Sequence, residues 1–406
     1  MPTARAEHDI LFAYDFPPMG GGIARWMQAI ALGSPPGSLT VSTGTLPGAV
    51  ASDAALPQRI DRIPVHADRL RTVPGLLAWS RRGVALAREP GARFAWCDTA
   101  RPAGYPAHWV WRRTGLPYGI MIVGGDLMTL RKRTARSRFK TRIMRRILGD
   151  AAALVAISRW TADHTSRLLL ELELEAAIAK IRVLPLGTDP ARWRRDPDGA
   201  SSFRRKRGLP EGTWLITVAR LVEYKGIDTA IRVVATLSAE HSELHYAVVG
   251  RGPDAPRLQA LCRELGVADR VHFLDDVSDD ELPAAYSMAN VYLGLTRETA
   301  DDVEGFGISF VEAAACGLPV VAARSGGIPD AVQDGETGLL LAPDDVTGVA
   351  AAIDRLLRNS DQARGMGDAG REMVENHLNW NRVVDEMREI AAELGRQSST
   401  ADLSAC

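Results

Sequence analysis

Two carboxylates, Glu304 and Glu312, stand with seven residues between them in the stretch Thr296 to Pro319, TRETADDVEGFGISFVEAAACGLP. Gly305 and Gly307 suit a tight approach to a helix start, and Ile308 to Cys316 then read as helix before Gly317-Leu-Pro319 stops it. Backbone amides freed at such a start bind anions, helped by the helix dipole. A phosphate beside Gly307 would have Glu304 next to it and Glu312 two turns into the helix. Two acids around one anion are costly unless the ligand brings hydroxyls to them, a combination that points to a sugar phosphate or a nucleotide sugar. The plainer alternative is an acidic surface loop running into an ordinary helix. Arg220 and Lys225 follow a strand candidate at Trp214 to Val218. Cations at a strand's C-terminal end lie where α/β ligands bind, and a guanidinium with an ammonium can neutralise a leaving diphosphate. Taken alone, they read as surface charges.

The elements that must hold these groups alternate. Strands are expected at Ile10 to Tyr14, Leu39 to Thr43, Phe94 to Asp98, Tyr118 to Val123 and Leu154 to Ser158, with helical patterns between them. The second half repeats the scheme at Trp214 to Val218, His245 to Val249, Val271 to Leu274, Val291 to Leu295 and Val320 to Ala323. Such alternation predicts mainly parallel sheets covered on both faces. At 406 residues the chain is too long for one ordinary core and divides naturally into two α/β domains of about 200 residues each. The polar, Pro-, Asp- and Arg-rich piece from Pro190 to Gly208 reads as the linker. A glycine loop, Pro17 to Gly22, follows the first strand and precedes a helical pattern from Ile23 to Leu32, an arrangement that brings amides against a phosphate or sugar. Val123-Gly124-Gly125-Asp126 ends another strand.

Several of these motifs occur together, in order, in one family. Glu304-Gly-Phe-Gly307 with Glu312-Ala and Gly317-Leu-Pro-Val-Val-Ala closely resembles the Glu-x7-Glu signature of glycosyltransferase family 4. The resemblance extends through Val218-Ala-Arg220-Leu-Val-Glu-Tyr-Lys225-Gly226, Val249-Gly250-Arg-Gly252-Pro, Ser325-Gly-Gly327-Ile-Pro-Asp330 and Asp15-Phe-Pro-Pro-Met-Gly20-Gly-Gly22. It implies a GT-B architecture, two Rossmann-like domains facing each other across a cleft: an acceptor-side domain over 1–190, and a nucleotide-sugar-binding domain over 200–377. A last helix, about 378–396, would pack back onto the first domain, with a frayed tail from Gln397 to Cys406. It further implies a retaining hexosyltransferase. Arg220 and Lys225 would clamp the diphosphate, Glu304 would hold sugar hydroxyls, and Glu312 the ribose. Gly250, Val277, Gly305, Phe306, Gly307 and Ile308 would line the donor, Gly21 and Gly22 would meet the donor diphosphate or the acceptor, and Asp126 joins the catalytic set. No metal and no cofactor is implied beyond the nucleotide sugar. Val123 stands where many members carry histidine, which bears on sugar or acceptor contacts. A short match around Asp302-Val-Glu304-Gly resembles bacterial phosphatidylinositol-mannoside mannosyltransferases and tilts the donor towards GDP-mannose over a UDP-sugar.

Composition narrows the partners. With 49 basic and 50 acidic residues the formal charge is −1, so nucleic acid is not an expected partner and any basic function must be local. Four widely spaced cysteines, Cys97, Cys262, Cys316 and Cys406, read as reduced thiols in the cytoplasm. The start has the wrong pattern for a signal peptide, and no apolar run is long enough to span a bilayer. Arg131 to Arg146, RKRTARSRFKTRIMRR, carries nine basic residues and no acid. Phe139, Ile143 and Ile147 recur there at helical spacing, so it reads as one amphipathic helix, either packed with a solvated face or presented to anionic lipid on the inner face of the cell membrane. An acceptor in lipid-linked glycan or polysaccharide synthesis fits that surface. Three rivals remain. Gly250-Arg-Gly252-Pro with Asp275 resembles a dinucleotide fingerprint of an NAD-dependent oxidoreductase. A nucleotide-sugar epimerase of the same architecture, and an inactive glycan- or nucleotide-binding subunit, are the others.

Overall fold

A computed structural model describes residues 7–403, with side chains described as far as residue 396. Two parallel sheets organise the chain, each in its own compact unit. Unit 1 runs as far as Leu184 and resumes at Trp380, and unit 2 is Pro185–Asn379.

In unit 1 the strands are β1 (His8–Phe12), β2 (Leu39–Thr45), β3 (Arg59–His66), β4 (Ala92–Cys97), β5 (Tyr118–Ile122), β6 (Ala153–Ala156) and β7 (Ile181–Val183), in the spatial order β3-β2-β1-β4-β5-β6-β7. Strands β1, β4, β5 and β6 are short apolar runs buried on both faces, as the central strands of a covered parallel sheet must be. The polar β3, with Pro64, takes the edge, where a missing donor is tolerated. Those charges and that proline hid it from the sequence pattern. The helix Trp380–Leu403 packs on β4 and on the helix Gly22–Gly33, burying Val383, Val384, Met387 and Ala391. Its described backbone stays helical to Leu403. The expected fraying from Gln397 is therefore not seen to that point, since no Gly-Pro stop interrupts it; Cys406 lies outside the described residues.

Unit 2 contains β8 (Thr213–Val218), β9 (Leu244–Val249), β10 (Val271–Leu274), β11 (Val291–Gly294), β12 (Val320–Ala323) and β13 (Gly338–Leu341), ordered β10-β9-β8-β11-β12-β13. Both sheets thus reverse order beside their first strand, at β1/β4 and at β8/β11. Ligands of open α/β sheets bind just beyond the carboxyl ends of the strands at that reversal.

Two expectations fail locally. The stretch Pro190–Gly208 is not only linker, because Pro197–Arg207 is a helix of unit 2. Asp196 caps it by accepting the Gly199 amide, proline occupies its first turn, and Gly208 ends it at φ 61°. The basic run 131–146 is not one helix but the end of Gly124–Ala135 and most of Arg138–Asp150. Ser137 breaks it, adopting an extended backbone and accepting the Lys140 amide as the cap of the second helix. Ile147 is buried, Ile143 half-buried, and Phe139 is 74% exposed, so the apolar stripe is only partly packed. Among the described residues no helix is long and apolar enough to cross a membrane, and Cys97, Cys262 and Cys316 are free and buried.

Candidate active site

The register Leu215↔Val291 and Ile216↔Tyr292 brings the loops after β8 and β11 side by side. They touch through backbone. A Cβ on Gly226 would fall 1.7 Å from the Leu295 carbonyl oxygen, and the Arg297 amide donates to the Tyr224 carbonyl at 2.8 Å. On this frame Lys225 Nζ forms an ion pair with the Glu304 carboxylate, the two side chains being only 13% and 15% exposed. Burial alone would lower the Lys225 pKa, but Glu304 and Tyr224 beside it outweigh that and raise it. The cation also lies 5.0 Å from the Tyr224 ring centroid. Arg220, on the same loop, is exposed, and its guanidinium has no partner among the described residues.

Glu304 is fixed from a third side by the loop after β12. Its carbonyl accepts the Gly327 amide at 2.8 Å, and Gly326 comes so close that a Cβ there would sit 2.2 Å from the same oxygen. Val303, Gly305, Phe306 and Gly307 are buried behind it. Any ligand contact at Phe306 is therefore through its backbone, because its ring is core. Gly307 turns the chain at φ 91° into the helix Ile308–Ala315, and no side chain caps that helix. The Phe310 amide turns back to the Gly307 carbonyl at 3.1 Å, which leaves the amides of Ile308 and Ser309 to an anion. Glu312 is 2% exposed and accepts the Tyr286 hydroxyl at 3.0 Å; Tyr292 in turn donates to Ser309 Oγ at 2.8 Å. Burial, with Glu312 next, drives the Tyr286 pKa well up, so it stays a donor.

Lys225, expected on a diphosphate, and Glu304, expected on sugar hydroxyls, neutralise each other. The pair makes a largely buried acid tolerable on this loop. Val277 is half-buried in the loop after β10. Gly250 has φ 133°, and a Cβ there would lie 2.1 Å from the Ala219 carbonyl oxygen; Gly252 meets Leu221 in the same way. These glycines pack the loop after β9 against the loop after β8. A dinucleotide fingerprint belongs on the first strand of the 3-2-1-4 order, which is β8, whereas Gly250 follows β9. That position removes the oxidoreductase reading.

The remaining candidates lie in unit 1. Gly21, at φ 119°, and Gly22 begin the helix Gly22–Gly33 after the β1 loop. Val123 is the extended residue before the helix Gly124–Ala135, with Asp126 in its first turn, where an acid is favoured. Burial and then the charge of Asp15, on the β1 loop, raise the Asp126 pKa, and both acids feel Arg71, whose guanidinium stacks 4.1 Å from the Tyr14 ring centroid. Sequence reasoning missed Asp98, which follows β4 fully buried and accepts the amides of Tyr14 and Asp15. As the last residue of an expected strand it carries no local signal, and only the adjacency of β1 and β4 reveals its partners.

Two Rossmann-ordered units, with a cation–carboxylate pair beside an uncapped helix start, have the fold of the GT-B glycosyltransferases. Anabaena HepE, crystallised with UDP and glucose, shares it at TM-score 0.75 and 18% identity, over 94% of this chain and 99% of that one. The Glycosyl transferases group 1 family profile matches residues 201–373. The GDP-mannose-dependent alpha-(1-6)-phosphatidylinositol monomannoside mannosyltransferase of Mycolicibacterium smegmatis is 32% identical over 91% of this chain and 94% of its own. A D-inositol 3-phosphate glycosyltransferase of Acidothermus cellulolyticus is 36% identical over 59% of this chain and 54% of its own. The chain belongs to the group 1 glycosyl transferases, and it is an enzyme of glycosyl transfer. Nothing in these relatives favours an epimerase or an inactive subunit.

Proposed function

We propose that this chain is a retaining hexosyltransferase that moves mannose from GDP-mannose to a hydroxyl of a lipid-linked, inositol-bearing glycan. The observation that carries the reading is the Lys225–Glu304 pair at the β8/β11 reversal, with unpartnered Arg220 on one side and the free amides at Gly307 and Ile308 on the other. In transfer, the bond from the sugar to the diphosphate breaks while negative charge grows on the leaving oxygen. Lys225, Arg220 and the helix amides stabilise that charge, the kind of term that usually dominates. Glu304, released from Lys225 as the diphosphate takes over the ammonium, accepts hydrogen bonds from sugar hydroxyls. The acceptor oxygen adds on the face that the diphosphate leaves, and the leaving phosphate takes its proton. Glu312 holds the ribose, and unit 1 supplies the acceptor contacts through Asp126 and the Gly21–Gly22 loop. The extensive match to a phosphatidylinositol-mannoside mannosyltransferase supports both the donor and the lipid-linked acceptor. The basic faces of the two helices spanning 124–150, with exposed Phe139 among them, suit an anionic membrane surface on the cytoplasmic side.

A panel of nucleotide sugars, read by thermal shift and donor hydrolysis, tests the donor: GDP-mannose should stabilise and be hydrolysed, and selection of a UDP-sugar would replace it. Transfer should persist in EDTA, since cations of the chain serve the diphosphate. Loss in chelator with recovery in magnesium or manganese would overturn that clamp. Replacing Arg138, Arg142 and Arg145 by Glu should weaken sedimentation with acidic vesicles, and the wild-type binding should fall with salt. Unchanged sedimentation would return these helices to ordinary surface.

A further inference from the structure

The β1/β4 reversal in unit 1 contains a carboxyl group that is fully buried and has no cation. Asp98 is 0% exposed. Its Oδ2 accepts the Tyr14 amide at 2.6 Å and the Asp15 amide at 3.0 Å, its Oδ1 accepts the Thr99 hydroxyl at 3.0 Å, and its own amide donates to the Phe12 carbonyl at 3.1 Å. Among the described residues no Lys, Arg or His pairs with it. The charged group that acts on it is Asp15, from the β1 loop. Arg71 acts on Asp15 and on Asp126, Asp15 raises Asp126, and Asp98 itself adds to the burial that raises the adjacent Cys97. Burial pushes the Asp98 pKa up, the Asp15 charge adds to this, and the amide and hydroxyl donors only partly oppose it, leaving it at about 7.

Such a carboxylate works against folding. A carboxyl whose pKa is higher in the folded than in the unfolded chain stabilises fully below the unfolded pKa of about 4, and that contribution is lost as pH rises through about 7. Asparagine would fill the same space without the charge. What the charge does is gather two consecutive amides, Tyr14 and Asp15, at the point where the chain leaves β1 for the glycine loop. The loop is fastened again further on by Arg62, which donates to the Pro17 carbonyl and, at 2.6 Å, to the Gly44 carbonyl while pairing with Asp53 at 2.8 Å.

We propose that Asp98 is a positioning residue for transfer: its ionised carboxylate sets the path of the loop that ends at Gly21 and Gly22, and its protonation releases that loop. This rests on the reading that the β1 loop serves transfer. An anionic acceptor holds the Tyr14 and Asp15 amides with charge-assisted hydrogen bonds, roughly twice as strong as those of a neutral carboxyl. The device thus exchanges stability for a fixed loop near neutral pH.

The test is the pH profile of kcat/KM with GDP-mannose, or with the donor the panel selects, for wild type, Asp98→Asn, Thr99→Val and Gly21→Ala. Wild type should show an acid limb near pH 7. Asp98→Asn should lack it and run about tenfold below the wild-type plateau, with GDP affinity unchanged. Thr99→Val removes one donor to the carboxylate, so the limb should move to higher pH. Two readouts need no substrate. Hydrogen exchange of the peptide 8–27, corrected for intrinsic rate, should lose protection from pH 8 to pH 6 in wild type but not in Asp98→Asn. The melting temperature of Asp98→Asn relative to wild type should rise from pH 5 to pH 8. An acid limb that stays in place in Asp98→Asn and Thr99→Val, or exchange that does not depend on pH in wild type, overturns the proposal. Gly21→Ala separates it from the reading beneath: Gly21 sits at φ 119° in open space, so alanine strains the loop alone. If Gly21→Ala transfers normally, the loop is not part of the site; if it is impaired while Asp98→Asn keeps its limb, only the role of Asp98 fails.

Discussion

At both reversal points the loop after the first strand of a sheet meets the loop after its fourth, yet the two junctions are made by opposite chemistry. In unit 2 the link is Lys225 with Glu304, and Arg220 adds an unpartnered cation. In unit 1 it is Asp98 with the amides of Tyr14 and Asp15, and the further acids Asp15 and Asp126 lie close by with Arg71. The strand order around each reversal is the same, so topology does not explain the contrast. A site is grafted onto a fold by its loops. One junction suits phosphates, the other hydroxyl groups, which carboxylates accept from and guanidinium or ammonium groups do not.

That division can be broken most directly at Glu304. Glu304→Gln should cut turnover by about 100-fold or more, the scale of a lost transition-state contact, while nucleotide diphosphate affinity by calorimetry changes little. Equal losses in turnover and nucleotide affinity would mean that the glutamate holds the ground state instead. The two cations of unit 2 should then separate. Lys225→Met leaves Glu304 unpaired at 15% exposure and should cost about 2–4 kcal/mol of stability in denaturant unfolding. Arg220→Ala breaks no pair, so stability should move by less than about 0.5 kcal/mol, while turnover falls. Glu312→Gln should weaken nucleotide binding by roughly 1–3 kcal/mol, with turnover at saturation nearly kept. The smallest effect is expected in unit 1: Asp126→Asn should lower kcat/KM for the acceptor by about tenfold with no change in nucleotide affinity. If it weakens nucleotide binding instead, the two junctions do not divide their ligands as proposed.

How much of this was legible depends on sequence distance. The helix start at Gly307, its end before Gly317, and most buried strands follow from local glycine, proline and apolar patterns, and they appear where those patterns place them. The helix Pro197–Arg207 was equally legible, with Asp, Pro and Gly at its two ends, but its polar composition passed for a linker. The basic run failed because a count of charges and a stripe of three apolar residues ignored Ser137 as a cap. The Lys225–Glu304 pair spans 79 positions and the Asp98–Tyr14 bond 84. No local rule joins such residues; they meet only because β8 lies beside β11 and β1 beside β4. Knowing the strand order in advance would have predicted both.

The interrupted course of unit 1 also sets an order of events during synthesis. Its seven strands lie before Leu184, but the helix that buries Val383, Val384, Met387 and Ala391 against β4 and the helix Gly22–Gly33 begins only at Trp380. At ribosomal rates of about 5–20 residues per second, the intervening chain takes on the order of 10–40 s to appear. Throughout that interval the first sheet has been made and part of its apolar cover has not, while the whole of unit 2 emerges. The nascent chain therefore waits with β4 and the helix Gly22–Gly33 under-covered, and it is the half made first that is the last to be completed.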